Sequence, residues 1–216
     1  MIAFDALLWD MDGTLFNTYP PIRQAVINAF ADLGIAVDPI RVARLLTDTF
    51  DDCVQTLSAE YEVDPQQVTA AYHEYAVMIR PETQPPFPGV SAVCRRMIQA
   101  GGRNLIFTHR ERESLDYFLQ LYNMAHLFAD TLTADDGYPR KPDPTGFQTL
   151  LARNKLQPER VLAIGDRDLD IQAGIAAGTR TCYFAAPDFP GGITLPAIQP
   201  DWIVHSYAEL AALLFG

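Results

Sequence analysis

Short apolar runs of β-forming residues alternate along most of this chain with segments of helical spacing, and that alternation narrows the possible folds sharply. The runs fall at Phe4 to Trp9, Asn104 to Thr108, Val161 to Ile164, Thr181 to Phe184 and Trp202 to Val204, with a weaker one at Thr131 to Thr133. Between and after them lie helical patterns at Gly89 to Ala100, Glu111 to Tyr122, Thr145 to Asn154, Leu169 to Ala177 and Tyr207 to Leu214. Strands joined through helices pair in parallel, and a parallel sheet needs cover on both faces. The expected class is therefore α/β, with a doubly wound, mainly parallel sheet.

One stretch breaks the rhythm. From about Tyr19 to Arg80 the patterns are all helical, at Pro21 to Leu33, Pro39 to Leu46, Asp51 to Glu60 and Pro65 to Ile79, with no convincing strand among them. The reading is an inserted α-helical domain over residues 18–81, with residues 1–17 and 82–216 forming the sheet domain. Pro39 and Pro65 suit the first turn of a helix, and each follows an Asp that can cap it. The proline-rich run from Pro81 to Gly89 makes a stiff return to the sheet domain, because proline fixes φ and disfavours helix before it. With a second linker after Leu15, the insert is expected to rock over whatever sits at the end of the first strand.

Composition excludes several partners. Hydrophobic residues make up 49% of the chain and charged ones 20%, so it can bury a core. Sixteen Lys and Arg against 27 Asp and Glu leave a net charge of −11, which repels nucleic acid. The opening MIAFDALLWDMDGTL has no basic leader and carries acids in its apolar run, so it reads as neither signal peptide nor membrane span. A cytoplasmic protein with no membrane partner is expected, as a monomer or homodimer. Cys53, Cys94 and Cys182 are odd in number and far apart, and read as buried small hydrophobes.

Ligands of open parallel sheets bind beyond the carboxyl ends of the strands, so the residues at which each strand stops carry the chemistry. The first strand stops in Asp10-Met11-Asp12-Gly13-Thr14 and the second in Thr108-His109. Lys141 follows the weak third strand, and Val161 to Ile164 runs into Gly165-Asp166-Arg167-Asp168-Leu169-Asp170. Carboxylates converging at one crevice repel by about 4 kcal/mol per pair at ~4 Å and an effective dielectric near ~20. A cation must sit among them. Oxygen ligands without His or Cys point to a hard ion, best magnesium.

Beside such an ion, Asp10 can attack phosphorus and form an aspartyl-phosphate. Asp12 can protonate the leaving oxygen and later deprotonate water. Gly13 permits the sharp exit, and Thr108, Lys141 and exposed backbone N–H groups can hold the phosphoryl oxygens. Simpler readings stand beside these: Thr108 as a plain strand residue, Lys141 as a solvated loop lysine, His109 as a packed histidine, and Asp168, preferentially, as a helix cap. Arg23, just after the first linker, is the insert residue selected for substrate contact. The insert's aromatics, among them Tyr19, Phe50, Tyr72 and Tyr75, read as core.

Asp10-Met11-Asp12-Gly13-Thr14-Leu15, Thr108, Lys141-Pro142-Asp143-Pro144 and Gly165-Asp166 with Asp170 resemble, in order, the four motifs of the haloacid dehalogenase superfamily. The likeness covers essentially the whole chain, and the insert resembles the cap of the phosphoglycolate phosphatase and β-phosphoglucomutase-like branch. It implies a Rossmann-like core and an enzyme that hydrolyses a small phosphorylated metabolite. It also implies Asp10 as nucleophile and metal ligand, Asp12 as acid/base with its carbonyl on the metal, and Thr108 and Lys141 as phosphate contacts. Asp166 is implied as a metal ligand, and Asp170 as a ligand or its support. Arg167 departs from the Ser or Thr common after Gly-Asp, and residues 46–49 lack the glycine usual in the cap's substrate loop, so no relative's substrate carries over. A phosphomutase is the alternative, with a non-catalytic binding protein on the same fold as a third reading. Asp12 disfavours dehalogenation.

Overall fold

A computed structural model describes residues 3–47, 49–186 and 196–216; Asp48, in the stretch 46–49 that lacks the substrate-loop glycine, lies outside the described residues. Six parallel strands form one sheet: β1 (Ala6–Trp9), β2 (Arg103–Phe107), β3 (Asp130–Leu132), β4 (Val161–Gly165), β5 (Arg180–Phe184) and β6 (Trp202–Val204). Their order is β3-β2-β1-β4-β5-β6, with Trp9 level with Ile106 on one side and Ile164 on the other. The chain steps outward from β1 through β2 and β3, then returns to lay β4 against β1's other edge. That reversal makes β1 and β4 the switch point of the sheet, beyond whose carboxyl ends ligands of such folds bind.

The expected α/β doubly wound sheet is what forms, and its central strands β1 and β4 read as unbroken apolar runs because both faces are buried. Leu7, Trp9, Ile106, Leu162 and Ile164 face one core, closed by α5 (Val90–Gln99), α6 (Arg112–Leu121) and α9 (Tyr207–Phe215). Ala6, Leu8, Leu105, Phe107 and Ala163 face the other, closed by α7 (Thr145–Asn154) and α8 (Asp168–Ala176). Asn104, a polar residue inside a strand, is satisfied there: Oδ1 accepts from the Trp9 indole at 3.1 Å, and Nδ2 donates to the Cys94 and Leu127 carbonyls at 3.0 Å. The three cysteines are free and buried, and burial pushes the Cys53 and Cys182 thiols up to about 12, so they act as packing groups.

The described residues divide into two compact units, one of residues 3–16, 86–186 and 196–216, the other of residues 17–85. The second is helical: α1 (Tyr19–Asp32), α2 (Pro39–Leu45), α3 (Phe50–Glu60) and α4 (Pro65–Ala76). Its own core holds Val26, Phe30, Val42, Val54, Leu57 and Val68. Asp38 and Asp64 cap α2 and α4, accepting from the Ile40 and Gln66 N–H groups at 3.0 and 2.9 Å, with each proline in the first turn. Helix α4 ends at Ala76, three residues before the Ile79 expected from apolar spacing. Val77 and Met78 stand 83% and 63% exposed, so their spacing marks no buried face, and Pro81 disfavours helix just before it. Among the described residues no helix is long and apolar enough to cross a membrane.

One glycine ties the packing to the site. A Cβ at Gly146 on α7 would lie 2.5 Å from the Phe107 ring, and that ring's centroid is 5.5 Å from the Lys141 ammonium. Gly146→Ala should therefore push the ring off its rotamer and destabilise the fold by about 1–3 kcal/mol. Urea unfolding of the two proteins checks this, and equal midpoints would refute it.

Candidate active site

The site begins where β1 runs out of strand. Asp10 still donates its N–H to the Ile164 carbonyl at 2.9 Å, which holds it beside β4 with its side chain buried. The chain then turns back: the Phe16 N–H bonds the Met11 carbonyl at 3.0 Å and the Gly13 N–H bonds the Phe16 carbonyl at 2.9 Å. Gly13 takes φ +75°, a region that favours glycine. Thr14, inside this turn, donates its hydroxyl to Asp166 Oδ1 at 2.9 Å. The Tyr207 hydroxyl, from the start of α9, donates in turn to the Thr14 carbonyl at 2.5 Å. Turn and β4 exit are thus pinned to each other.

Lys141 lies at the centre. Its buried ammonium donates to Asp10 Oδ1, and to Asp170 Oδ1 at 2.5 Å. Its backbone N–H donates to His109 Nε2 at 2.9 Å, and the Lys141-Pro142 peptide is cis. Asp170 sits in the first turn of α8, where Oδ2 accepts from the Arg167 N–H at 3.2 Å. Gly165 makes room for it, since a Cβ there would come within 2.3 Å of the Asp170 Cβ.

The charges reinforce one another. Burial, opposed by Lys141 and aided by Asp170, raises the Asp10 carboxyl to about 6. Burial works against the Lys141 charge, but Asp10 and Asp170 outweigh it and the ammonium titrates above its ordinary value. Burial and then Lys141 push His109 down to about 3, so its ring is neutral; with Nε2 accepting, the proton sits on Nδ1.

Asp10, Asp166 and Asp170 can each offer one carboxylate oxygen with all three atoms within 4.8 Å of one another. Asp10 Oδ2 is buried and accepts no hydrogen bond from the described residues. A small, buried, all-oxygen cluster with one carboxylate oxygen unclaimed among the described residues fits a hard divalent cation.

Of the residues singled out in the sequence, Asp10, Lys141, Asp166 and Asp170 meet at this strand edge. Thr108 is buried one strand over, its N–H on the Leu132 carbonyl and its hydroxyl accepting from the Arg110 N–H at 3.1 Å. Asp12 is turned toward Arg110, and His109 toward the Lys141 backbone. Arg23 lies half-buried on α1, in the helical unit. Asp168 is not the cap of α8: as its first helical residue it turns outward and accepts from the Ala197 and Ile198 N–H groups at 3.1 and 3.3 Å.

Arg110 was not anticipated. Its guanidinium pairs with Asp12 through Nη2 to Oδ1 at 2.7 Å and Nε to both oxygens at 2.9 Å. The only signal was its place two residues beyond the strand-ending Thr108.

The sheet's central strand thus ends in a buried carboxylate clustered with two more and a lysine, the arrangement of an α/β enzyme. Residues 7–184 match the model of the haloacid dehalogenase-like hydrolases, and the chain belongs to that family. It is 24% identical over 213 residues to a phosphoglycolate phosphatase of Vibrio vulnificus, covering 94% of this chain and 93% of the relative. It is 26% identical over 215 residues to the pyrophosphatase PpaX of Bacillus cereus, covering 99% and 97%. Among solved structures, a HAD family hydrolase from Deinococcus radiodurans with bound phosphate and sodium superposes with a TM-score of 0.83 at 24% identity, over 98% of this chain and 95% of that one.

The raised Asp10 carboxyl carries a stability consequence. An acid whose folded pKa exceeds its unfolded 3.8 stabilises the fold fully below 3.8, and that contribution is lost as pH rises through about 6. In metal-free protein, Asp10→Asn should flatten this part of the profile and be at least as stable as the parent at neutral pH. Urea midpoints near pH 5 and pH 7.5 test it; a variant that loses stability equally at both would refute the assignment.

Proposed function

We propose that this hydrolase is a magnesium-dependent phosphatase of small phosphorylated metabolites, acting through an aspartyl-phosphate on Asp10. The observation that carries the reading is the Asp10 carboxylate itself: buried, held through Oδ1 by Lys141, with Oδ2 unclaimed inside a three-carboxylate cluster. The names of the relatives, a phosphoglycolate phosphatase and a pyrophosphatase, support phosphorus as the centre attacked. Asp10, Asp166 and Asp170 would hold the metal, with the Asp12 carbonyl. The ion's contribution is to neutralise charge on the phosphoryl oxygens.

An Asp10 oxygen forms a bond to phosphorus while the bond from phosphorus to the leaving oxygen breaks. Asp12, in its protonated form, gives its proton to that oxygen, so the product leaves as an alcohol. Water then attacks the phosphorus and Asp12 takes the proton back. The bond to Asp10 breaks, and inorganic phosphate departs. Thr108 and Lys141 hold phosphoryl oxygens at the ends of their segments, where fixed donors stabilise the developing charge without reorganising. His109, neutral and donating only through Nδ1, fixes the Lys141 backbone and offers that N–H to substrate. The helical segment 18–81 serves as the cap, with Arg23 as its substrate contact.

Asp10→Asn should lower phosphate release by at least about three orders of magnitude while leaving the fold unchanged. EDTA should abolish release until magnesium is restored. Inorganic phosphate freed from a panel of monoesters, scored by kcat/KM beside isomerisation of a sugar phosphate, measures both. Undiminished hydrolysis by the Asn variant would end the nucleophile assignment, and isomerisation without phosphate release would replace the phosphatase by a phosphomutase.

A further inference from the structure

Both Asp12 oxygens are engaged by one side chain, Arg110, at 2.7 and 2.9 Å. The guanidinium is itself held in place. Nη1 donates to Ser114 Oγ at 3.1 Å, the group lies 4.9 Å from the centroid of the Phe118 ring, and the backbone N–H bonds Thr108 Oγ1. Asp12 and Arg110 are 24% and 23% exposed, so the pair is within reach of a ligand. The pair joins the turn that carries Asp12 to the segment just beyond the end of β2.

We propose that Arg110 selects substrates whose leaving group carries its own negative charge, by exchanging the Asp12 carboxylate for an anionic group on that leaving group. The proposal rests on the phosphatase reading above. For Asp12 to meet the leaving oxygen it must release at least one of its bonds to Arg110. A half-buried guanidinium stripped of a charge-assisted partner is costly, and a neutral leaving group offers nothing in return. A carboxylate or a second phosphoryl group presents the same planar or forked pair of oxygens and takes over the vacated donors. Ser114 and Phe118 keep the guanidinium where it is while its partner changes. Release of Asp12 and recognition of the leaving group thus become one event.

The test compares two esters of similar size, phosphoglycolate and ethyl phosphate, in the magnesium-loaded enzyme. The parent should prefer phosphoglycolate in kcat/KM by tenfold or more. In Arg110→Gln, kcat/KM for phosphoglycolate should fall at least tenfold further than that for ethyl phosphate, so the preference collapses. Arg110→Lys, which keeps the charge without the fork, should restore part of it. An equal loss on both esters in Arg110→Gln would overturn the proposal, leaving Arg110 as a positioning residue for Asp12. A parent without preference would overturn it too. A parent that hydrolyses neither these nor any other monoester would sink the phosphatase reading itself, a result distinct from hydrolysis with an unaltered preference.

Discussion

An ammonium sealed between two carboxylates, Lys141 with Asp10 and Asp170, is the interaction on which the rest of the site depends. Two buried like charges this close cannot both stay ionised without a cation between them, and a buried lysine cannot stay charged without anions. Each member requires the others. The arrangement therefore holds residues from β1's exit, the loop after β3 and the first turn of α8 in one place. It also leaves Asp10 Oδ2 unclaimed, because Lys141 takes the other oxygen. Such a triad is a poor source of stability, since desolvating its charges offsets much of their attraction. Its value lies in the geometry it imposes.

That geometry is available because the sheet reverses direction at β1. With β4 returned to β1's free edge, Asp10 and Asp166 leave adjacent strands within one residue of the same level, and the Thr14 hydroxyl spans the gap between turn and strand exit. Glycines supply the clearances. Gly13 turns the chain, Gly165 admits Asp170, and Gly146 lets α7 settle on the Phe107 ring near the ammonium. The apolar layers on both faces fix these backbones, so the polar atoms meet without having to create the fold they sit on.

The parts of this design written in contiguous residues were legible from the chain alone. Buried parallel strands are short apolar runs, so β1 through β6 were found to within a residue or two, and the Asp-Pro pairs at 38–39 and 64–65 announced two helix starts. The acids at the ends of β1 and β4 were legible because the fold class says where ligands bind. Pairings across the chain were not. Arg110 and Asp12 are 98 residues apart, and Tyr207 and Thr14 are 193 apart, with no local pattern to join them. Asp168 misled because a carboxylate at a helix start reads as a cap, while a backbone segment nearly thirty residues on claims it. The end of α4 misled for the opposite reason: apolar residues continued the helical period past the point where anything covered them.

The two ion pairs at this strand edge differ in the property that decides their roles, access to water. Lys141 with Asp10 is sealed on both sides, so breaking it leaves bare charges in a low dielectric and the pair persists. Asp12 with Arg110 keeps about a quarter of each side chain in solvent, where an arriving anion can reach the guanidinium and take the carboxylate's place. A nucleophile, the role proposed for Asp10, needs the first kind of hold, since displacement of a few tenths of an ångström spoils in-line attack. An acid that must serve first the leaving oxygen and then water needs the second, because a carboxylate locked to one partner cannot serve two. Burial, graded across a few residues of one turn, therefore holds Asp10 away from water and leaves its neighbour Asp12 open to it.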